Sequence, residues 1–384
     1  MRLLYCAVDQ CVPGTTGGSI HVRAVADGLA ALGHDVHVLT APGSGGFPPG
    51  AVHWHAARPP LDSPRLRLAV AGRVRALARQ LEPDVIIERY HNFGGEGVLA
   101  AHHLGLRAVL EVNAPVIDHP GSPKRLLDRL LLIEPMRRWR DWQCRRADLL
   151  VTPSAAILPE WLPRQRILEI EWGADTERFR PDVACDPAVI RAPGETIAVF
   201  AGAFRSWHGA IRLVEAIAEL RRRGLDAITA VLAGDGPERP RVEAAARGLK
   251  GIRLLGPVEH ARMPAVLAAC DVGVAPFDTA AHAPLSLGFY WSPLKVFEYM
   301  ASGLPVVAPA IARLGTIVAN GREGVLYDPS RPGALADALA GLTDPGRRRL
   351  LGAAARARVV DEFSWASHCA ALDAAIQRLG GGSR

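Results

Sequence analysis

The sequence predicts an α/β protein with two domains, each built around a parallel sheet. An apolar strand, a glycine-rich loop and an amphipathic helix follow one another twice, first in residues 2–32 and again in residues 196–223. Short apolar runs of the kind that a parallel sheet buries recur along the rest of the chain. A chain of 384 residues is too long for one ordinary core and suits two domains of roughly 180 residues each.

The composition is that of a globular protein. Apolar residues make up 49% of the chain and charged residues 22%, and no apolar run approaches the ~20 residues that cross a bilayer. The opening MRLLYCAVDQ is a strand pattern that Asp9 interrupts too early for a signal peptide. Six cysteines without CxxC spacing predict reduced thiols in a cytosol and argue against a zinc site. The formal net charge of +6 favours anionic partners, either phosphorylated substrates or an anionic membrane surface.

The first domain opens as a βαβ unit. Arg2–Val8 is the first strand, Ile20–Leu32 has apolar residues at helical spacing, and Asp35–Thr40 is the second strand. The loop 14–18 between the first strand and the helix carries glycines where a backbone has to approach a ligand closely. The loop lacks the GxGxxG pattern, so a dinucleotide site of the dehydrogenase type is not indicated. A glycine turn shaped only for packing is the alternative.

The next two strands of the first domain end in polar side chains. Buried strands are predicted at Pro83–Glu88 and Leu106–Val112, and they are followed by Arg89, Tyr90, His91 and Asn113. Polar groups at the carboxyl ends of parallel strands are what an open α/β sheet presents to its ligand. For His91 and for the nearby His119, a solvated loop histidine is the alternative.

Three segments of the first domain are irregular or strongly basic. Residues 41–64 are rich in proline and glycine and predict irregular structure, whereas residues 65–81 predict a basic amphipathic helix. Residues 122–147 are helical and basic, with interleaved leucines and tryptophans, and Pro135 should break or kink this helix. Such a helix can lie on an anionic membrane surface, or it can be a domain helix with a solvated cationic face.

A proline-rich linker separates the two domains. The first domain closes with strands at Asp148–Thr152 and Ile167–Glu171, and Pro181–Pro193 lacks any periodicity. The second domain then opens with the strand Thr196–Ala201 and the helix Ala210–Arg223. Its further predicted elements are the strands Ala227–Ala233, Ile252–Gly256, Asp271–Pro276 and Gly324–Tyr327 and the helices Ala334–Leu342 and Arg347–Glu362, before a last helix that starts at Phe363–Trp365.

Positive charge follows the first strand of the second domain. Arg205 and His208 lie in the loop 202–209, and the helix start beyond the loop adds amide donors, which together favour a diphosphate. An unperturbed histidine titrates near neutrality and loses its positive charge as the pH rises. We therefore expect binding of the anion to weaken with rising pH if His208 is unperturbed. A second glycine turn, at residues 234–237, follows the next strand.

Residues 289–309, FYWSPLKVFEYMASGLPVVAP, predict a loop, a helix, a tight turn and a buried strand. Ser292 and Pro293 open the helix, the first as a capping side chain and the second as a first-turn residue, and Gly303 ends it. The start of a helix binds anions through its free amides and its dipole. Glu298 lies one turn further in, where it can accept hydrogen bonds from hydroxyls attached to that anion. Diphosphate and diol together describe a nucleotide sugar; a plain amphipathic helix with a surface glutamate is the alternative.

The segment SPLKVFEYMASGLPVVA resembles the nucleotide-sugar signature of the retaining glycosyltransferases of family 4, which have the GT-B fold. Two glutamates separated by seven residues are usual in that signature; Glu298 matches the second, whereas Tyr290 stands at the place of the first. The family's arginine and lysine after the first strand of the second domain are replaced by Ala203 and His208, and its histidine after a strand of the first domain by Asn113. The resemblance runs over nearly the whole chain in ordered segments: the opening GG loop, WGAD, the loop that ends in HG, GDGP, SPLK with Glu298, and FSW.

The resemblance implies a fold and a reaction. It implies two Rossmann-like domains, residues 1–180 and 181–364, that face each other across a central cleft, with the C-terminal helix 365–384 crossing back to the first domain. The second domain would hold the donor and the first the acceptor. The reaction would be a retaining transfer from a nucleotide sugar, with UDP favoured over GDP as the nucleotide and with no metal, because amides and basic side chains neutralise the leaving diphosphate.

The resemblance also implies roles for individual residues. Donor binding falls to Gly17, Gly18, Gly202, Arg205, His208, Gly234, Gly236, Ser292, Pro293, Leu294, Lys295 and Glu298. Acceptor binding falls to His91, Asn113 and His119, and the catalytic set is Asn113, Arg205, Lys295 and Glu298.

The acceptor and two rival functions stay open at the level of the sequence. The acceptor hydroxyl can belong to a glycan, a glycolipid or a small-molecule natural product, and a cytoplasmic location is expected, with membrane contact through residues 122–147 as an option. One rival is a degenerate GT-B protein that acts as a binding subunit, and the other is a GT-B sugar-nucleotide epimerase.

Overall fold

The computed structural model describes residues 1–119, 122 and 133–380, and it divides into two compact units. The first unit comprises the described parts of residues 1–172 and 365–384 together with residues 290–292, and the second comprises residues 173–289 and 293–364. The division falls at Trp172–Gly173, earlier than the predicted boundary at 181. Among the described residues, no helix is both long and apolar enough to cross a membrane.

The first unit contains a sheet of seven parallel strands. The strands are β1 (Arg2–Val12), β2 (Asp35–Pro42), β3 (His53–Ala56), β4 (Val85–Arg89), β5 (Arg107–Glu111), β6 (Leu149–Thr152) and β7 (Ile167–Glu169). Their order across the sheet is β3-β2-β1-β4-β5-β6-β7, and every pair is parallel. The described helices of this unit are α1 (Gly17–Ala31), α2 (Ala71–Leu81), α3 (Glu96–Leu104), α4 (Ile133–Arg146) and, from the C-terminus, the last helix Trp365–Gly380.

Side chains of β1 alternate between two apolar clusters, one on each face of this sheet. Leu3 and Tyr5 belong to a cluster that also holds α1 and the last helix, whereas Leu4 belongs to a cluster with α2. Leu372 and Ile376 of the last helix are buried in the first cluster. The last helix is therefore part of the core of the first unit.

The second unit contains a sheet of six parallel strands in the order β10-β9-β8-β11-β12-β13. The strands are β8 (Thr196–Ala201), β9 (Ile228–Ala233), β10 (Ile252–Gly256), β11 (Val272–Val274), β12 (Val306–Pro309) and β13 (Gly324–Tyr327). The helices, in chain order, are α5 (Ala210–Arg222), α6 (Arg239–Ala246), α7 (Met263–Ala268), α8 (Leu294–Ala301), α9 (Leu314–Ile317), α10 (Ala334–Ala340) and α11 (Pro345–Glu362); the last helix of the chain is α12. Two parallel sheets with helices confirm the predicted α/β class.

Several elements of the structure lie at other positions than predicted or were not predicted. The strand β3 lies inside the stretch predicted to be irregular, and the sequence analysis contains no prediction for α3. The helix predicted from residue 65 begins at Ala71, because residues 64–70 form 3₁₀ turns that direct Arg67 into the protein. Of the basic segment 122–147, residues 123–132 lie outside the described residues, and Pro135 lies within α4.

Candidate active site

Two glycine turns of the second unit pack against each other at the carboxyl ends of β8 and β9. Gly234 has φ 146°, and a Cβ on it would lie 1.9 Å from the carbonyl oxygen of Gly202. Gly236 packs in the same way against the backbone of Phe204, 2.8 Å from its nitrogen. A side chain at Gly234 would force the two turns apart, so this position requires glycine. The turns leave backbone, not side chains, along the edge where an open sheet binds its ligand.

The helix α8 begins next to these turns, at Leu294. Its N-cap is Pro293, which offers no capping hydrogen bond, and the first-turn amides of Leu294 and Lys295 have no acceptor inside the helix. The prediction that Ser292 caps this helix is wrong. Ser292 Oγ donates to Glu171 Oε2 at 2.6 Å and accepts from the Trp172 amide at 2.9 Å, both within the first unit.

Lys295 is buried at its tip without a hydrogen-bond partner among the described residues. Its Nζ lies 4.1 Å from the ring centroid of Phe200 and 5.4 Å from that of Phe277. A Cβ on Gly202 would lie 3.2 Å from the same Nζ, so the lysine tip touches the glycine loop that follows β8. Burial lowers the pKa of Lys295 to about 7, although Glu298 raises it. The two aromatic faces stabilise the cation only partly, since neither ring is a hydrogen-bond acceptor of ordinary strength.

Glu298 lies one turn further along α8 and is paired with a histidine. Its Oε1 lies 2.8 Å from Nε2 of His260, in the loop before α7, and its side chain is 13% exposed. His260 in turn packs against the ring of Phe179 at 5.4 Å. His260 cannot be predicted from the sequence as the partner of Glu298, because the two residues lie 38 positions apart and no local pattern marks the histidine. The carboxylate is therefore held in place before any hydroxyl binds it.

The two cationic side chains predicted in the loop after β8 differ in the structure. Arg205 is exposed, with its guanidinium 5.4 Å from the ring of Trp207. His208 Nδ1 lies 2.7 Å from the Ala203 carbonyl oxygen. Burial, followed by the charge of Lys295, lowers the pKa of His208 to about 3. The prediction that His208 titrates near neutrality is wrong, and a neutral ring that donates from Nδ1 to Ala203 keeps Nε2 as an acceptor.

The glycine pair of the first unit begins α1 instead of preceding it. Thr16 is the N-cap, and its Oγ1 accepts from the Ser19 amide at 3.2 Å, so Gly17 and Gly18 occupy the first turn. A Cβ on Gly18 would lie 2.2 Å from Gln10 Oε1 and 3.3 Å from Arg89 Nη2. This first turn therefore lies directly against polar side chains at the carboxyl ends of β1 and β4.

Asn113 is held at both ends of its amide. Its Nδ2 donates to Glu111 Oε1, and its Oδ1 accepts from the Trp172 indole at 2.9 Å. Arg89 donates to the same Glu111 oxygen at 2.8 Å, and burial raises the pKa of Glu111 despite this guanidinium. His21 lies beside them, with both ring nitrogens buried and its Nδ1 3.4 Å from Glu111 Oε1. The side chain of Asn113 thus belongs to a buried polar network.

The two predicted acceptor histidines lie in loops of the first unit. His91 is half-buried, its Nδ1 accepts from the Phe93 amide at 3.2 Å, and burial lowers its pKa. His119 is half-buried, and its Nδ1 has no hydrogen-bond partner among the described residues. Each histidine has its own surroundings, and no hydrogen bond or ring contact joins the two rings among the described residues.

Arg67 is fully buried, which the sequence does not predict. Arg67 pairs with Asp9 at 2.7 Å and with Glu88 and Glu96 at 2.6 Å each. Desolvation, followed by the charge of Glu96, raises the pKa of Glu88 well above its usual range. The basic helix pattern around Arg67 predicts a solvated side chain, and only the 3₁₀ turns at 64–70 turn it inward.

The described part of the basic segment packs against its own unit. Trp139 donates from its indole nitrogen to the Gly94 carbonyl at 2.7 Å and stacks on Trp142 at 4.8 Å between ring centroids. Both indoles are half-buried. These contacts favour the prediction of a domain helix with a solvated cationic face over that of a membrane-bound helix for Ile133–Arg146.

The fold is the GT-B fold. Among solved structures, the chain is similar to sucrose-phosphate synthase from Thermosynechococcus elongatus, with a TM-score of 0.72, 19% identity and full coverage of both chains. Anabaena HepE in complex with UDP and glucose is similar with a TM-score of 0.70, 18% identity and 99% coverage of each chain.

Sequence comparison gives the family. A model described as "Glycosyltransferase Family 4" matches residues 15–178, and one described as "Glycosyl transferases group 1" matches residues 195–344. The chain is 27% identical to D-inositol 3-phosphate glycosyltransferase 2 of Catenulispora acidiphila, over 88% of this chain and 84% of the relative. It is 25% identical to glycogen synthase of Mycobacterium tuberculosis, over 95% and 92%. The chain belongs to glycosyltransferase family 4.

Proposed function

We propose that this enzyme transfers a sugar, with retention of anomeric configuration, from a nucleoside diphosphate sugar to an acceptor hydroxyl. The observation that carries the donor class is the Lys295 ammonium, buried and without a hydrogen-bond partner among the described residues, against the glycine loop that contains Gly202. A buried cation without a partner is costly, and a diphosphate supplies the charge and the acceptors that it lacks. The free amides at the start of α8 add donors for the same anion.

UDP is the proposed nucleotide, with GDP second. Structures of Anabaena HepE, a protein with the same fold, are named as complexes with UDP and with UDP-glucose. Glu298, held by His260, would accept hydrogen bonds from hydroxyls of the donor.

The proposed step breaks the bond between the anomeric carbon and the diphosphate oxygen, and the electron pair leaves with that oxygen. The acceptor oxygen bonds to the same carbon from the face that the diphosphate leaves, and its proton passes to the departing diphosphate. Lys295, Arg205 and the amides of Leu294 and Lys295 would stabilise the negative charge on the leaving group. The step as proposed needs no metal, since these groups neutralise the diphosphate.

The proposed acceptor is a hydroxyl of a glycan, a glycolipid or a small-molecule natural product. Relatives of this chain are named for inositol phosphate, for glycogen and, in Streptomyces kanamyceticus, as an alpha-D-kanosaminyltransferase.

The six free cysteines support a cytoplasmic location, because a reducing compartment keeps thiols unpaired. Peripheral contact of residues 122–147 with an anionic membrane surface is compatible with that location, and co-sedimentation with anionic and with neutral vesicles tests it.

The donor is tested by calorimetry and thermal shift with UDP-, GDP-, dTDP- and ADP-sugars. A ligand at 100 times its Kd stabilises the protein by about 2.7 kcal/mol. We expect one nucleotide sugar to stabilise the wild type and expect Glu298→Ala to lose that response. Lys250→Met, at an exposed lysine, is a control that keeps it.

Products separate the rival functions. A transferase releases the nucleoside diphosphate and lengthens the acceptor, whereas an epimerase changes the sugar and a binding subunit leaves the donor unchanged. Comparison of the anomeric configuration of product and donor by NMR tests retention. If none of the four nucleotide sugars binds, the proposal fails at its first step.

A further inference from the structure

The amino end of β2 and the neighbouring edge strand β3 bring three histidines and an aspartate together. Asp35 and His37 lie two residues apart on β2, and His53 and His55 lie two residues apart on β3. The strands are parallel with His37 opposite His53, and residues two apart point to the same face of a sheet. Val36, Val38 and Trp54 belong to the apolar cluster on the other face, so all four polar residues share one face.

The distances in this cluster fit a metal ion. Asp35 Oδ1 lies 3.2 Å from His37 Nε2 and 3.5 Å from His53 Nε2, and one ligand atom from each of the three residues lies within 4.8 Å of the others. In a tetrahedral zinc site with bonds of about 2.0–2.1 Å, two ligand atoms are about 3.3 Å apart. The two distances from Asp35 Oδ1 therefore lie close to that value, and the third pair lies within 4.8 Å.

The surroundings hold the ligands in a suitable state. Asp35 Oδ2 is used by Arg2 at 2.7 Å, which leaves Oδ1 to face the histidines. His37 Nδ1 lies 3.0 Å from His55 Nε2, so that Nδ1–H of His37 can donate to His55 and leave His37 Nε2 free to ligate.

We propose that Asp35, His37 and His53 form a zinc site, with His55 positioning His37. The ligand set has two imidazoles and one carboxylate, which suits zinc and related divalent transition metals and does not suit magnesium or calcium, whose ligands are oxygens. A fourth position is left for water. The sequence shows no metal motif, because the three ligands lie on two different strands and 15 residues separate His37 from His53 along the chain.

The zinc site is separate from the proposed transfer reaction. It lies at the amino end of β2, whereas the glycines that begin α1 lie at the carboxyl end of β1, the edge at which open parallel sheets bind substrates. A metal here ties the exposed edge strand His53–Ala56 to the rest of the sheet. Its role is to stabilise the first unit, and we expect transfer activity to be the same with and without it.

Titration of the metal-free 384-residue chain with zinc chloride tests the site. The protein is prepared without an affinity tag. Serine replaces the two exposed cysteines, Cys11 and Cys185, so that their thiols do not bind the metal. We expect one equivalent of zinc to bind, to raise Tm, and to be replaceable by cobalt with the visible spectrum of a tetrahedral ion. Magnesium should neither bind nor raise Tm.

Variants decide whether this cluster holds the zinc. His53 is 61% exposed at its side chain, so His53→Gln should fold normally and weaken zinc binding at least ~10-fold, with the Tm shift lost. His55→Gln should weaken binding by a similar factor, and His103→Gln, at an exposed histidine of α3, should leave it unchanged. The absence of saturable one-to-one binding, or binding that His53→Gln leaves unchanged, overturns the proposal.

Discussion

At the scale of single residues, Lys295 is the group on which the candidate active site depends. Its ammonium is buried between Phe200 and Phe277 and next to Gly202, and no described residue accepts a hydrogen bond from it. The same burial that lowers its pKa to about 7 makes it sensitive to any anion that arrives. This lysine therefore takes over the role in pH dependence that the sequence assigned to His208.

Donor affinity should depend on pH through Lys295. A bound diphosphate raises the pKa of this lysine, so binding takes up a proton when the free enzyme has lost it. Below pH 7 the lysine already carries its proton and the Kd should be flat; above pH 7 the Kd should increase by up to ~10-fold per pH unit. Calorimetry between pH 6 and 8.5 measures this, and a Kd that does not change over that range contradicts it.

Lys295→Met should lose donor affinity and gain stability. Loss of a charged hydrogen bond of about 1.5–3 kcal/mol weakens donor binding about 10- to 100-fold. Without donor, removal of a buried unpaired cation should raise the free energy of unfolding by about 1–3 kcal/mol.

The stability difference between the two proteins has its own pH dependence. The folded wild type has the lower lysine pKa, so the unfolded chain binds more protons between pH 7 and about 10.5. The wild type therefore gains stability relative to Lys295→Met as the pH rises through that window, and the difference is constant below pH 7. Urea unfolding of both proteins at pH 6.5 and 9 measures this; a variant less stable than the wild type at pH 6.5 contradicts the proposed cost of the buried cation.

At the scale of elements, the two glycine turns after β8 and β9 fix the shape of the candidate donor site. Gly234→Ala places a methyl group 1.9 Å from the Gly202 carbonyl oxygen in a backbone conformation that is nearly restricted to glycine. We expect a loss of about 3 kcal/mol or more in the free energy of unfolding.

A matched glycine separates the steric effect from the backbone effect. Gly224 also has a positive φ, 73°, but nothing lies within 4 Å of the position of its Cβ. Gly224→Ala should therefore cost only about 1 kcal/mol. Equal losses in the two variants, measured by chemical denaturation, would show that close packing of the turns contributes nothing.

The last helix should be as important to the first unit as its own strands. Ile376 is fully buried in the apolar cluster with α1 and β1, so Ile376→Ala should lower the free energy of unfolding by about 2–5 kcal/mol. Leu350, 73% exposed on α11, is the control, and Leu350→Ala should change stability by less than about 0.5 kcal/mol. Equal effects in denaturant titrations would contradict burial of the last helix.

Element type follows from the sequence where an apolar run lies between glycine-containing turns. The strands Thr196–Ala201, Ile252–Gly256 and Gly324–Tyr327 lie where the sequence predicts them, because apolar runs between glycine-containing turns leave few alternatives. The strand β3 could not be predicted in this way. Its residues His-Trp-His-Ala contain no apolar run, and only its pairing with β2 makes it a strand.

The sequence predicts where the site residues lie in the secondary structure, but it does not predict which side chains they contact. The helix with Lys295 and Glu298 is where the sequence predicts it, since helix signals are local. The contact of Glu298 with His260 and the inward turn of Arg67 join residues far apart in the chain. A pattern of neighbours along the chain cannot specify such contacts. The lowered pKa of His208 could not be predicted either, because it is caused by burial, which only the folded structure determines.

At the scale of the whole molecule, the candidate donor residues are divided between the units. Lys295 and Glu298 belong to the second unit, whereas Gly17 and Gly18 belong to the first. The resemblance to family 4 assigns donor binding to residues of both units, and their contributions can be measured separately.

Hydrogen exchange should locate the donor on the second unit. With a saturating nucleoside diphosphate, we expect slower amide exchange in residues 202–209, 234–237 and 294–301, because their amides become protected. The edge strand His53–Ala56 should exchange at an unchanged rate and serves as the internal control. Slower exchange at Gly17 and Gly18 would support their role in donor binding, and an absence of protection in the second unit would contradict the donor site.

The position of the last helix in the core of the first unit has a consequence for biosynthesis. The seventh strand of that unit ends at Glu169. The last helix, which packs against one face of the seven-stranded sheet, begins only at Trp365. At a translation rate of ~5–20 residues per second, about 10–40 s separate the two on the ribosome. During this interval the nascent first unit exposes an apolar face, while every segment of the second unit is synthesised before the first unit is complete. A nonsense codon that removes only the last helix would therefore leave the earliest part of the polypeptide as the part exposed to chaperones and proteases.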